Sequence, residues 1–176
     1  MILGAVLAGG QSARFGSDKA QAELHGATLL ERAVAQLASQ CDDVVVVGRE
    51  SAPVATIADW PRAGMGPLGG IAAALRHAGD EDFASVLTCG VDSVPLPEDL
   101  LDHLGDPPAY VASQPVIGHW PSSAAREVEA ILRGDGRHSM LQLAKTLGAR
   151  EVHLAVKPDN INTPADLAAA EARHDL

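Results

Sequence analysis

The 176-residue sequence predicts an open, mostly parallel α/β sheet in three layers, with helices on both faces. Three observations carry that expectation. The apolar runs "ILGAVL" (2–7), "DVVVVG" (43–48) and "FASVLTCG" (83–90) show no polar–apolar alternation, which is how strands buried on both faces read. Segments of helical spacing separate them. The composition is 47% hydrophobic but only 3% aromatic, which suits close helix-on-sheet packing. The length fits one domain, residues 1–176, with a sizeable core.

The elements follow in order. "TLLERAVAQLASQ" (28–40) predicts a helix with Thr28 as N-cap and Glu31 closing a capping box. "GPLGGIAAALRHAG" (66–79) predicts a tight turn followed by an Ala-rich helix. "LPEDLLDHL" (96–104) reads as a short helix with Pro97 near its start. "PAYVASQPVIGHW" (108–120) predicts two short strands broken by Pro115. "SSAAREVEAILRG" (122–134) and "HSMLQLAKTLG" (138–148) have helical spacing, and "REVHLAV" (150–156) alternates like an edge strand. "NTPADLAAAEARH" (162–174) predicts a last helix with Thr163 as N-cap and Pro164 at its first position.

The formal net charge of −10 argues against nucleic acid, and no basic stripe is present. An anionic ligand would need a local cationic pocket, for which Arg14 and Lys19 are the obvious pair. Cys41 and Cys89 form no CxxC and read as small buried hydrophobes in a reducing compartment. "MILGAVLAGG" is too short for a signal h-region and lacks a positive n-region. No run reaches the roughly 18 apolar residues of a membrane span. The expectation is a cytoplasmic protein without membrane association.

Ligands of open α/β sheets sit beyond the carboxyl ends of the strands. Three loops there carry candidate chemistry: 8–19, 59–70 and 89–97. In "LAGGQSARFGSDKA" (7–20), Gly9 and Gly10 let backbone N–H groups approach an oxyanion. Arg14 can fork onto phosphate oxygens, Lys19 can act as a point charge, and Ser12 and Ser17 can assist. The loop is neither GxxxxGK[ST] nor GxGxxG. Taken alone it is either a glycine turn with solvated charges or a phosphate cradle, and the clustering of cations with glycines favours the cradle. Asp92, just after a buried strand, is either a Mg2+ ligand or a turn aspartate. Asp59 is either a ligand-binding carboxylate or a turn-former ahead of Pro61.

These residues resemble a known family. "LAGGQSARFGSDKA" is similar to the signature LAGGxSxRxGxDK of nucleotidyltransferases, and "GPLGGIAAAL", "VDSVPLPEDLL" and "NINTPADL" (160–167) follow in the family's order along the whole chain. Within that superfamily the pattern is most similar to the molybdenum cofactor guanylyltransferases. The resemblance implies a Rossmann-like, nucleotide-diphospho-sugar transferase-like fold. It also implies transfer of GMP from GTP to the phosphate of molybdopterin, with Mg2+ and release of pyrophosphate. GTP and molybdopterin would be the substrates, and molybdoenzymes or other cofactor-biosynthesis proteins possible partners.

Carried over position by position, the resemblance implies that Leu7, Ala8, Gly9 and Gly10 contact the nucleotide through backbone. It makes Lys19 a catalytic contact to the triphosphate, Arg14 a contact to the β and γ phosphates, Asp59 a nucleotide-binding aspartate and Asp92 the Mg2+ ligand. Asn160 and Asn162 would lie on the pterin side. Three positions depart from the family pattern. Val91 and Val94 flank Asp92 where the family has Cys and Pro, Phe15 replaces a methionine, and "VVGRE" stands where some members have an asparagine. The last departure leaves Gly48 and Arg49 without an assigned role. A cytidylyltransferase on the same pterin and a catalytically silent nucleotide-binding module stay open as alternatives. A dinucleotide-binding oxidoreductase is weakened by the missing GxGxxG. His119, Trp60 and Trp120 are expected to pack rather than to bind.

Overall fold

The computed structural model describes residues 1–10 and 15–173. Arg14 and Ser12 from the first loop, and His174, therefore lie outside the described residues. In chain order the elements are β1 (Ile2–Leu7), a 3-10 turn (Lys19–Gln21), β2 (Glu23–Leu24), β3 (Ala27–Thr28) and α1 (Leu29–Ala38). Next come β4 (Asp43–Val47), β5 (Thr56–Ile57), α2 (Gly66–Asp80), β6 (Ser85–Gly90), β7 (Ser93–Val94) and α3 (Leu100–Leu104). The remainder holds β8 (Ala109–Val111), β9 (Gln114–Pro121), α4 (Ala125–Arg133), α5 (Met140–Leu147), β10 (Arg150–Val152), β11 (Asp159–Asn160) and α6 (Pro164–Glu171).

Among the described residues, seven strands form the central sheet in the order β10-β8-β9-β6-β1-β4-β5. β1 pairs in parallel with both β4 and β6, β4 with β5, and β10 with β8; β9 runs antiparallel to both its neighbours. Every strand except β9 thus ends at the same edge of the sheet. The buried strands divide their side chains between two cores. Val6, Val44, Val46, Leu87 and Cys89 pack with Leu30, Val34 and Leu37 of α1, Leu100 of α3 and Ala170 of α6. Leu3, Ala5, Val45, Val47 and Val86 pack with Leu68, Ile71 and Leu75 of α2, Val128 of α4 and Leu143 of α5. The period-two switch along β1 and β4 is what lets one apolar run serve both faces. The three-layer architecture is as the sequence predicts.

Local chemistry sets the boundaries. Thr28 and Glu31 make the expected capping box on α1, and Thr163 makes one on α6 with Asp166. The strand break in 108–120 falls at residues 112–113, not at Pro115, which lies inside β9. The missing N–H of Pro115 costs no ladder bond. The β9 pairing to β6 begins at Gly118, and the β8 register shifts between Tyr110 and Val111. The edge strand expected over 150–156 is shorter, Arg150–Val152, and does lie at the sheet edge.

Cys41 and Cys89 are both free thiols, and burial pushes Cys41 up to about 12. Phe15 is buried in the first core, so an apolar side chain serves there. Trp120 is fully buried, its Nε1–H donating to Thr88 Oγ1 at 3.0 Å. No helix among the described residues is long and apolar enough to cross a membrane.

His119 packs, as expected. It is 5% exposed, with Nδ1 at 2.8 Å from the Gly105 carbonyl and Nε2 at 2.7 Å from Ser85 Oγ. A carbonyl only accepts, so Nδ1 carries the proton and Nε2 accepts from the serine. Burial lowers the His119 pKa below its ordinary 6.5. The unfolded chain therefore takes up the proton first, and the stability His119 contributes is intact above that value and lost as pH falls. Between about pH 7.5 and about pH 5.5, the urea midpoint of the wild type should drop further than that of His119→Gln. Equal drops would show that this histidine is not buried neutral.

Candidate active site

β1, β4, β5 and β6 deliver their following loops to one cleft of about 310 Å³ at the carboxyl edge of the sheet. Leu7, Ala8, Gly9 and Gly10 line it after β1, Arg49 after β4, Asp59 after β5, and Gly90, Val91 and Asp92 after β6. Asp18, Lys19 and Ala20 come from the 3-10 turn, and Gly66, Pro67 and Gly70 from the start of α2. The positive end of the 15-residue α2 dipole lies at the cleft.

Two glycines make the approach possible. Gly48 has φ +84°, and a Cβ on it would stand 2.6 Å from the Gly9 Cα. A larger residue would push the loop after β1 away from the loop after β4. A Cβ on Gly90 would stand 2.5 Å from Asp92 Oδ1, so glycine is what lets that carboxylate fold back over the end of β6.

Lys19 and Asp92, 73 residues apart, meet in the cleft: Lys19 Nζ donates to Asp92 Oδ2 at 3.0 Å. Their side chains are only 18% and 21% exposed. The Lys19 turn is itself pinned by Asp18, whose Oδ1 accepts from the Ala20 N–H at 3.2 Å. Asp18 takes both arms of the Arg49 guanidinium, at 3.0 and 2.6 Å. The Arg49 hydrogen bond holds the Asp18 carboxyl below its ordinary value.

Asp59 is partly buried against Gly9, Gly48 and Gly70. Its carboxylate has no hydrogen-bond or ion-pair partner among the described residues. Desolvation raises its pKa. The next residue anchors the loop: the Trp60 N–H donates to the Gly69 carbonyl at 3.1 Å. Its ring lies 5.4 and 5.2 Å from the Arg76 and Arg133 guanidiniums. Glu129 pairs with both arginines, at 2.6 and 3.6 Å. Trp60 thus packs, as expected.

The asparagine segment reaches the same region. Asn160 of β11 pairs with Ser93 of β7, and the Ile161 N–H donates to the Asp92 carbonyl at 3.1 Å. Asp166 Oδ2 accepts from the Asn162 and Thr163 N–H groups at 2.9 and 2.8 Å. Buried Gln114 completes the link, accepting from Ser93 Oγ at 2.8 Å and donating to the Pro158 carbonyl at 2.7 Å. Of the residues named from sequence, Leu7, Ala8, Gly9, Gly10, Lys19, Asp59 and Asp92 therefore share one cleft; Asn160 and Asn162 are not in its described lining but flank Ile161, which bonds to the Asp92 backbone. Asp18, Gln114 and Val116 were not among them, and Arg49, named without a role, lines the cleft as well. The one available signal was an arginine at the carboxyl end of a buried-strand run.

Among the described residues no group of three or more His, Cys, Asp or Glu could hold a metal on its own. Among the described residues the cleft lining carries two cations, Lys19 and Arg49, against three carboxylates, Asp18, Asp59 and Asp92. A divalent ion that takes one carboxylate and fills its shell with phosphate oxygens fits that donor set.

A mostly parallel sheet that brings glycine turns, a lysine and an aspartate together at its carboxyl edge can hold a phosphorylated ligand there. Residues 4–154 match the MobA-like NTP transferase domain. The chain is 37% identical to a molybdenum cofactor guanylyltransferase of Acidiphilium cryptum, over 95% of this chain and 92% of that one. It is 33% identical to the enzyme of that name from Rhodobacter capsulatus, over 98% and 96%. Among solved structures, molybdopterin-guanine dinucleotide biosynthesis protein A from Archaeoglobus fulgidus superposes with a TM-score of 0.76 at 25% identity, covering 97% of both chains. A Thermus thermophilus 2-C-methyl-D-erythritol 4-phosphate cytidylyltransferase, 19% identical over 96% of both chains, shares the fold with a TM-score of 0.65. The chain belongs to the MobA-like NTP transferase family, and within it to the molybdenum cofactor guanylyltransferases.

A raised carboxyl pKa means the ionised form is disfavoured in the folded state, so ionised Asp59 costs stability at neutral pH and the cost is relieved on acidification. Asp59→Asn should raise the urea midpoint at neutral pH, with the advantage shrinking below about pH 5, while nucleotide affinity falls. A lower midpoint would mean that the carboxylate supports the fold.

Proposed function

We propose that this protein transfers GMP from GTP to the terminal phosphate of molybdopterin, yielding the guanine dinucleotide form of the molybdenum cofactor and pyrophosphate. The meeting of Lys19 with Asp92 at the end of β1 and β6 carries this reading. The names of the relatives support the choice of base and acceptor. A terminal phosphate oxygen of the pterin attacks the α-phosphorus of GTP. The new O–P bond forms as the bond to the β-phosphate oxygen breaks, and pyrophosphate leaves with the electron pair.

The protein's task is alignment and charge stabilisation. The backbone of Leu7, Ala8, Gly9 and Gly10 borders the triphosphate and base. Lys19 trades part of its pairing with Asp92 for phosphate oxygens and stabilises charge that develops on them. Arg14 of the signature, outside the described residues, completes the cationic side toward the β and γ phosphates. Asp92 is the residue that would hold Mg2+, which when bound neutralises charge on the triphosphate and leaving group. Asp59, acceptor-only when ionised, takes donors of the nucleoside. Asn160 and Asn162, tied to the segment of Asp92, face the pterin side.

Residues 1–176 act as one nucleotidyltransferase domain. The unpaired thiols Cys41 and Cys89 suit a reducing cytoplasm, where molybdoenzymes would receive the product.

Pyrophosphate release with molybdopterin should be fastest with GTP, compared with CTP and ATP, and should require Mg2+. Lys19→Ala and Asp92→Ala should each lower it by a factor of about 100 or more while the circular dichroism spectrum stays unchanged. A preference for CTP would reassign the base. Undiminished turnover in both variants would leave the cleft without a catalytic role.

A further inference from the structure

Asp18 is the anomaly in this cleft. It puts a carboxylate on the wall of a site that, on the reading above, receives a triphosphate. It is nevertheless needed locally, because its Oδ1 caps the 3-10 turn that carries Lys19. A capping group of full negative charge so near Lys19 opposes the ligand that Lys19 is there to bind.

Arg49 resolves the conflict. It leaves β4 directly after Gly48, whose backbone is pressed against Gly9, so its origin is fixed relative to the first loop. Its guanidinium forks across both Asp18 oxygens. The fork uses the two terminal nitrogens, while Nε is buried without a partner. An orphaned buried donor costs stability, so the fold alone gives little reason to keep an arginine there. The chain Arg49–Asp18–Lys19–Asp92 is continuous: two ion pairs joined by one capped turn. It links the loops after β1, β4 and β6 across the cleft.

We infer that Arg49 is a positioning residue of the nucleotide site, acting through Asp18: it cancels the Asp18 charge and holds that side chain as the cap of the Lys19 turn. The inference rests on the nucleotide reading of the cleft. The role is one of geometry and local charge, and Arg49 needs no contact with the nucleotide to perform it.

Calorimetric titration of Mg·GTP and of inorganic tripolyphosphate separates the possibilities, using wild type, Arg49→Ala, Asp18→Asn and the double variant. Arg49→Ala should weaken both ligands on the order of tenfold, because an uncompensated carboxylate then faces the polyanion. In the Asp18→Asn background, where the cap is retained without the charge, the same removal of Arg49 should cost less than about twofold. Arg49→Lys, which keeps the charge but not the fork, should fall between wild type and Arg49→Ala. Equal losses from removing Arg49 in both backgrounds would overturn the inference and make Arg49 a direct ligand contact or a purely structural residue. Wild-type protein that binds neither ligand would overturn the nucleotide reading, and this inference with it.

Discussion

The ion pair between Lys19 and Asp92 is the constraint on which the rest of the molecule depends. It joins the loop that follows β1 to the one that follows β6, across neighbouring parallel strands. Bringing a lysine and an aspartate to 3.0 Å in a partly covered cleft is costly unless each charge is useful there. A polyanion and a divalent ion together give each charge a second partner of opposite sign. In a chain of net charge −10, Lys19 and Arg49 bring two cations to a cleft whose described lining also carries three carboxylates, so a bound divalent ion would add to the positive charge a polyanion meets there.

The fold exists to hold that geometry. Two cores on opposite faces of the sheet fix β1, β4 and β6 side by side, so their carboxyl ends are held together at one edge. Gly48 and Gly90 then let the backbone close in where side chains would keep it apart. Trp60, flanked by two arginines that share Glu129, pins the loop bearing Asp59 from outside the cleft. Asp59 itself remains desolvated and unmatched among the described residues, the usual stability–function conflict of a binding group.

Much of this was legible in the sequence because it is local. Apolar runs of six or so residues between helical segments mark a parallel sheet, the Thr28–Glu31 capping box is a four-residue pattern, and Thr163 followed by Pro164 marks the start of the last helix, whose box partner Asp166 the structure adds. The first loop announced itself by glycines and cations in one stretch. What was not legible depends on residues far apart in the chain. The Arg49–Asp18 fork spans 31 positions, and Gln114 is a lone polar residue until the backbone of 158–159 folds over it. β5, β7 and β11 are two residues long and carry no periodicity to detect. Pro115 misled because a proline breaks a strand only where its N–H would have been used.

The central claim is that nucleotide and metal settle between Lys19 and Asp92. A crystal structure of the protein with Mg2+ and a non-hydrolysable GTP analogue tests it most directly. The account predicts triphosphate oxygens within hydrogen-bond reach of Lys19 Nζ and the ion on the Asp92 carboxylate. Nucleotide bound elsewhere, with the Lys19–Asp92 pair intact and nothing between its loops, would contradict it.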